Sequence, residues 1–109
     1  MEMLHVIVDR PIGYIDAFGN HYPINYGYIA GVIGGDGEEQ DAYILSKSVT
    51  QPLETFEGVL IAIIKRADDV EDKWVISSPE ETFSRAEITK AVDFMERYFD
   101  SSIILVDLA

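Results

Sequence analysis

Four carboxylates fall within six residues at Asp36, Glu38, Glu39 and Asp41, beside glycines that let the backbone turn sharply. A second group, Asp68, Asp69, Glu71 and Asp72, runs straight into Lys73 and Trp74, and the two clusters hold eight of the twenty acidic residues. Donor sets made only of oxygen suit a hard cation such as Mg²⁺, which takes one or two carboxylates and completes its shell with water and phosphate oxygens. An acidic turn by itself is ordinarily just solvated, and Lys73 can either pair with its neighbours or reach toward a metal-bound anion. Both clusters, however, lie at predicted strand ends, where the loops of one barrel mouth can converge. Convergence creates a repulsion that a cation relieves. The first loop is not an EF-hand, because Gly37 comes too early and no helix flanks it.

Other chemistries find less support. His5 and His21 lack any spacing that would bind zinc. No nucleophile elbow, Walker A loop or dinucleotide fingerprint is present. Tyr22, Tyr26 and Tyr28 in YPINYGYI read first as half-buried strand residues, since the ring suits a pleated surface.

The net charge of −12 repels DNA, RNA and anionic lipid, so nucleic-acid and membrane partners are not expected. It would equally repel a small anionic substrate unless divalent cations reverse the local sign. The chain has no cysteine, and its N-terminus carries charges where a secretory leader would be apolar, which together suit a soluble, cytoplasmic protein. Its longest apolar run, Val59 to Ile64, is far short of the about 20 residues a bilayer requires.

The 109 residues have room for one domain, 1–109, with no repeat or linker. Met3–Val8, Tyr26–Ile33, Ala42–Leu45, Gly58–Lys65 and Lys73–Ile76 read as strands, with Gly13–Asn25 an extended loop or irregular hairpin broken by Gly19 and Pro23. Apolar residues on both faces of Gly58–Lys65 predict a strand covered on both sides. Ser84-Arg85-Ala86-Glu87 is a capping box, with Phe83 and Ile88 placed as a staple, so a helix starts at Ser84. Ile88, Ala91, Val92, Met95 and Tyr98 or Phe99 recur at its spacing to form one apolar face. Ile103–Leu108 closes the chain as a strand.

YPINYGYI, then GGDGEEQDAYIL, then an apolar strand leading to KRADDVEDKWV, occur in an order that resembles the soluble family I inorganic pyrophosphatases, from about Val8 to Phe99. The resemblance implies an α+β, mainly β fold, a small five-stranded OB-like closed barrel with a covering C-terminal helix. It also implies Mg²⁺ held by Asp36, Glu38, Asp41, Asp68 and Asp72, with Asp41 the principal shared ligand. Tyr26 would sit near the attacking water, with Asp36 and Asp41 joining it in catalysis. Arg10, Lys73 and Tyr98 would bind phosphate. The implied reaction is hydrolysis of pyrophosphate by a metal-bound water, in a homo-oligomer.

The sequence departs from the family pattern in four places. Only nine residues precede Arg10, so the resemblance implies a relative shortened at its N-terminus, lacking an early glutamate, a lysine and another acidic group. Tyr98-Phe99 stands where the family has a tyrosine-lysine pair. Glu38 replaces an aspartate, and the segment before Lys73 is one residue short, so Glu71 and Asp72 compete for one ligand role. A non-catalytic Mg²⁺ and phosphate binder of the same fold is therefore the alternative to a working diphosphatase.

Overall fold

The computed structural model describes residues 2–67 and 70–106. Six strands and one helix follow in the order β1 (Leu4–Arg10), β2 (Tyr26–Ile33), β3 (Glu39–Ile44), β4 (Thr55–Arg66), β5 (Lys73–Ser77), α1 (Arg85–Glu96) and β6 (Ser101–Leu105). The sheet runs β1-β2-β3-β5-β4-β6, and an added β1–β4 pairing closes the first five strands into a barrel. β3 and β5 are the parallel pair, while the other pairings are antiparallel. This is the five-stranded barrel of the OB type that the resemblance implies.

β4 is what makes closure possible. Its first residues, Thr55–Gly58, pair with β1, and its last, Ala62–Arg66, pair with β6, while β5 lines its other edge. A strand with neighbours along both edges and cover on both faces needs apolar side chains on both, as GVLIAII supplies. One face joins Val6, Ile29, Ala42, Ile44 and Ile76 with Phe56 and Leu60, drawing on all five barrel strands, and so fills the barrel. The other joins Tyr43, Leu45, Val59, Ile61 and Val75 to Ile88 and Val92 of α1.

The helix begins as its capping box requires. Ser84 Oγ accepts from Glu87 N at 3.1 Å, and the Glu87 carboxylate accepts in return from Ser84 N at 2.9 Å. It ends at Glu96, earlier than the apolar spacing suggests, so Tyr98 and Phe99 lie beyond the C-cap Arg97 and are exposed rather than part of the covering face. The final strand is likewise shifted. β6 is Ser101–Leu105 because its register is set by antiparallel pairing of Ser101 with Arg66 and Leu105 with Ala62, while residues 107–108 lie outside the described residues. The Gly13–Asn25 segment is an irregular hairpin, pinned by a bridge between Ile15 and His21.

Candidate active site

Strand alternation sorts the chemistry onto one wall. Ala42 of β3 and Trp74 and Ile76 of β5 fill the barrel, so Asp41, Tyr43 and Lys73 point the other way, toward α1. The described carboxylates nearest these positions therefore do not face the barrel interior. Asp41 and Glu71, one from each cluster, meet on the helix-covered flank, in a cleft of about 320 Å³ lined by Asp9, Arg10, Tyr26, Asp41, Glu71 and Lys73, with Tyr22, Tyr43, Arg66, Met95 and Phe99 behind them.

Register brings these groups together. Tyr26 pairs with Tyr43 across β2–β3, and Arg10 pairs with Tyr26 across β1–β2 after a bulge between Val8 and Arg10. A bulge adds a residue on one strand and re-aims its side chains, which is how the adjacent Asp9 and Arg10 both come to line the cleft. Asn25 fastens the connecting loops. Its amide oxygen accepts from Ile12 N at 3.0 Å and Leu53 N at 3.1 Å, and its Nδ2 donates to Gln51 O at 3.1 Å. Gln40 does the same for the start of β5, donating to Asp72 O at 2.6 Å.

Lys73 is the electrostatic centre. It is buried, and its Nζ donates to Asp41 Oδ2 at 2.5 Å and to Glu71 Oε1. Burial opposes its charge, but Tyr26, Asp41 and Glu71 outweigh that cost and push its pKa above the usual lysine value. Burial raises the Tyr26 phenol above its ordinary value, with the nearby Asp41 carboxylate adding to this and Lys73 opposing it, so the phenol stays protonated at neutral pH. Glu71 in turn meets Asp36, a contact that raises the Glu71 carboxyl above its ordinary value and lowers Asp36 below its own. The two acidic loops approach this closely because Gly35 has no side chain, since a Cβ there would lie 2.3 Å from Val70 O.

Two arginines complete the cleft. Arg10 donates to the Tyr22 hydroxyl at 2.6 Å and lies 5.7 Å from the ring centres of Tyr14, Tyr22 and Tyr26. Arg66 holds Glu96 through Nε at 3.0 Å and Nη2 at 2.6 Å, and its guanidinium stacks 3.7 Å from the Phe99 ring centre. Burial disfavours the Glu96 charge, yet hydrogen bonds from Arg66, Ser101 and Tyr43 outweigh it and hold its pKa below the ordinary range.

Of the residues expected from the sequence, Tyr26, Asp41, Arg10 and Lys73 share the cleft, and Asp36 joins through Glu71. Asp72 does not face it. Its carboxylate turns to Lys65 at 3.5 Å, while Glu71 lines the cleft and accepts from the Lys73 ammonium. Glu38 is exposed in the Gly34–Glu38 turn, and Tyr98 lies in a neighbouring groove, with its hydroxyl 3.5 Å from Asn20 Oδ1. Asp68 lies outside the described residues. Sequence reasoning missed Asp9, Tyr43, Arg66 and Glu96. Asp9 had a signal in its adjacency to Arg10, whereas Arg66 and Glu96 meet only through the fold.

Among the described residues, no three acidic or histidine side chains form a single metal-binding group. The carboxyls are instead coupled in sequence, Asp36 to Glu71, then Glu71 and Asp41 through Lys73. Two carboxyl groups in contact require a proton or a cation between them, and the donor set is all oxygen, so the residues fit a hard divalent ion that takes one or two carboxylates and fills its shell elsewhere.

Comparison with known proteins agrees with this architecture. The fold is similar to the crystal structure of an inorganic pyrophosphatase from Ehrlichia chaffeensis, with a TM-score of 0.69 at 15% identity, covering 95% of this chain and 86% of that one. It is also similar to the inorganic pyrophosphatases of Neisseria gonorrhoeae (TM-score 0.63, 18% identity, 88% of this chain and 73% of that one) and Helicobacter pylori (0.62, 16%, 96% and 82%). At such identities the likeness speaks for the fold alone. No curated protein sequence matches the chain. The inorganic pyrophosphatase family model matches residues 5–103, nearly the whole length, and the chain therefore belongs to the inorganic pyrophosphatase family.

Proposed function

We propose that this protein hydrolyses inorganic pyrophosphate in a Mg²⁺-dependent reaction, as a cytoplasmic homo-oligomer. The observation that carries this reading is the cleft itself, where Arg10 and Lys73 flank Asp41, Glu71 and a protonated Tyr26 in a chain of net charge −12. Cations gathered in so acidic a protein serve an anion. Asp41, Glu71 and Asp36 are the residues that would hold Mg²⁺, with Glu71 in place of Asp72. When bound, the ion supplies neutralisation of phosphate charge and acidification of water.

The chain's own groups position and orient. Arg10, fixed by its bond to Tyr22 and its aromatic surroundings, presents a rigid fork to one phosphate. Lys73 offers a point charge to the other, and the Tyr26 phenol can donate to an oxygen of the attacked phosphate while its neighbour Asp41 accepts the proton of an incoming water. Met95 and Phe99 supply an apolar part of the cleft wall. Such positioning and charge stabilisation is most of what phosphoryl transfer demands of a protein. No helix among the described residues is long and apolar enough to cross a membrane.

A second reading, a non-catalytic Mg²⁺ and phosphate binder, has one observation in its favour: the Lys73 ammonium already bridges Asp41 and Glu71, where a metal would otherwise link them. Phosphate release from Mg²⁺-pyrophosphate decides between them. Turnover that disappears in Asp41→Asn supports the enzyme. Binding of Mg²⁺-pyrophosphate without any phosphate release supports the binder.

A further inference from the structure

Next to the cleft, and sharing Arg10, Met95 and Phe99 with it, lies a second groove of about 440 Å³ completed by Phe18, Asn20 and Tyr98. Phe18 is 90% exposed and Tyr98 63%. Large aromatic faces turned to water and continuous with an anion site are not required for packing. Phe18 is also held outward by a built turn: the Asp16 carboxylate accepts from Phe18 N at 2.9 Å and from Asn20 N and Nδ2, each at 3.0 Å. The groove thus offers stacking faces, a polar edge from the Asn20 amide and the Tyr98 hydroxyl, and a guanidinium at the seam where it meets the cleft.

We propose that this groove receives the planar heterocycle of a nucleoside diphosphate whose phosphates lie in the cleft, so that the site accepts organic diphosphates as well as the inorganic one. Aromatic side chains recognise bases by stacking whatever their identity, while a polar edge suits the heteroatoms of a base or ribose better than it suits an aliphatic chain. Arg10 lies where base and phosphate portions join, and can hold the inner phosphate. This inference rests on reading the cleft as a diphosphate site.

The test is calorimetry in Mg²⁺ with two non-hydrolysable probes, methylenediphosphonate and adenosine 5′-(α,β-methylene)diphosphate, on the native protein and Phe18→Ala, with sedimentation of both proteins. Phe18 is 90% exposed and belongs to neither core cluster, so Phe18→Ala is expected to keep the fold, which the sedimentation run and a melting curve check. We expect the native protein to bind both probes, and Phe18→Ala to weaken the nucleotide probe about tenfold, as loss of a stacking partner does, with methylenediphosphonate unchanged. If methylenediphosphonate binds while the nucleotide probe does not, or the substitution leaves both affinities unchanged or lowers them equally, the groove proposal is wrong and the diphosphate cleft stands. Loss of an oligomer in Phe18→Ala, with both affinities unchanged, assigns the groove to a second copy of the chain and also overturns it. If neither probe binds, the reading of the cleft fails and takes the proposal with it.

Discussion

Asp41 and Lys73, 32 residues apart in sequence, lie side by side with 2.5 Å between Oδ2 and Nζ because β3 and β5 are parallel with Ala42 opposite Trp74. The residue before each member of that pair falls on the same wall, so a single register sets both a carboxylate and its cation. We expect Asp41→Asn to lower Mg²⁺ affinity by at least about tenfold, since an amide oxygen is a poorer donor to a hard cation than a carboxylate and loss of even an outer-shell partner costs about that much. The fold should survive, since Glu71 still partners the Lys73 ammonium. Calorimetric Mg²⁺ titration checks this, with the exposed Glu80→Gln as control, and equal titrations for both variants would remove Asp41 from the site.

Mg²⁺ should stabilise the protein. Binding to the folded state alone adds RT ln(1 + [Mg²⁺]/Kd), and it relieves repulsion among Asp36, Glu71 and Asp41. The melting temperature in millimolar MgCl₂ should exceed that in NaCl of matched ionic strength. Identical melting curves in the two salts would contradict a divalent site.

Gly35→Ala should damage the site more than the fold. The added methyl meets Val70 O, so the Asp36 loop must retreat from the Glu71 loop. Overpacking of this kind costs about 1 to 3 kcal/mol when it strikes a core, and the turn is exposed enough to move. We expect a small fall in melting temperature together with clearly weaker Mg²⁺ binding. Unchanged binding would show that the contact between the loops is dispensable.

Glu96→Gln should be destabilising, by about 1.5 to 3 kcal/mol, because it removes the charge-assisted, two-point pairing that Arg66 Nε and Nη2 make with the Glu96 carboxylate. The pH dependence has a definite sign. Glu96 has a folded pKa below the ordinary value of 4.5, so its stabilisation is complete above that value and is lost as pH falls through it toward the folded pKa. Urea unfolding from pH 7 down to pH 3 should show a decline in the native protein that is shallower in Glu96→Gln. Parallel profiles would contradict the role assigned to this pair.

Phe99→Lys should leave the protein folded without raising pyrophosphate turnover. Phe99 is 43% exposed, so the large penalty for losing a buried ring does not apply. The Arg66 guanidinium already lies 3.7 Å from that ring, and an ammonium in its place would be repelled by a charge it cannot displace. A gain in phosphate release of about tenfold or more would show that the cleft lacks a cation that Arg66 does not supply.

Much of this protein is determined locally. The capping box sets the start of α1, the doubly apolar GVLIAII marks a covered central strand, and the three ordered motifs identify the family, because each of these depends on residues close together in sequence. Tyr26, Asp41 and Lys73 are named as candidates by the same motifs, but that they share one cleft is decided by the fold. What tertiary structure alone decided is where those groups point and what supports them. The barrel and the helix together cover both faces of β3, β4 and β5, so patterning cannot tell the barrel side from the helix side there, and only the β3–β5 register places Asp41 and Lys73 on the latter. The choice of Glu71 over Asp72 depends on the phase in which the chain enters β5, which Gln40 fixes from 32 residues away. The Arg66–Glu96 pair joins a strand end to a helix end 30 residues apart, and no local signal distinguishes its two charges from solvated ones until the helix docks and excludes water.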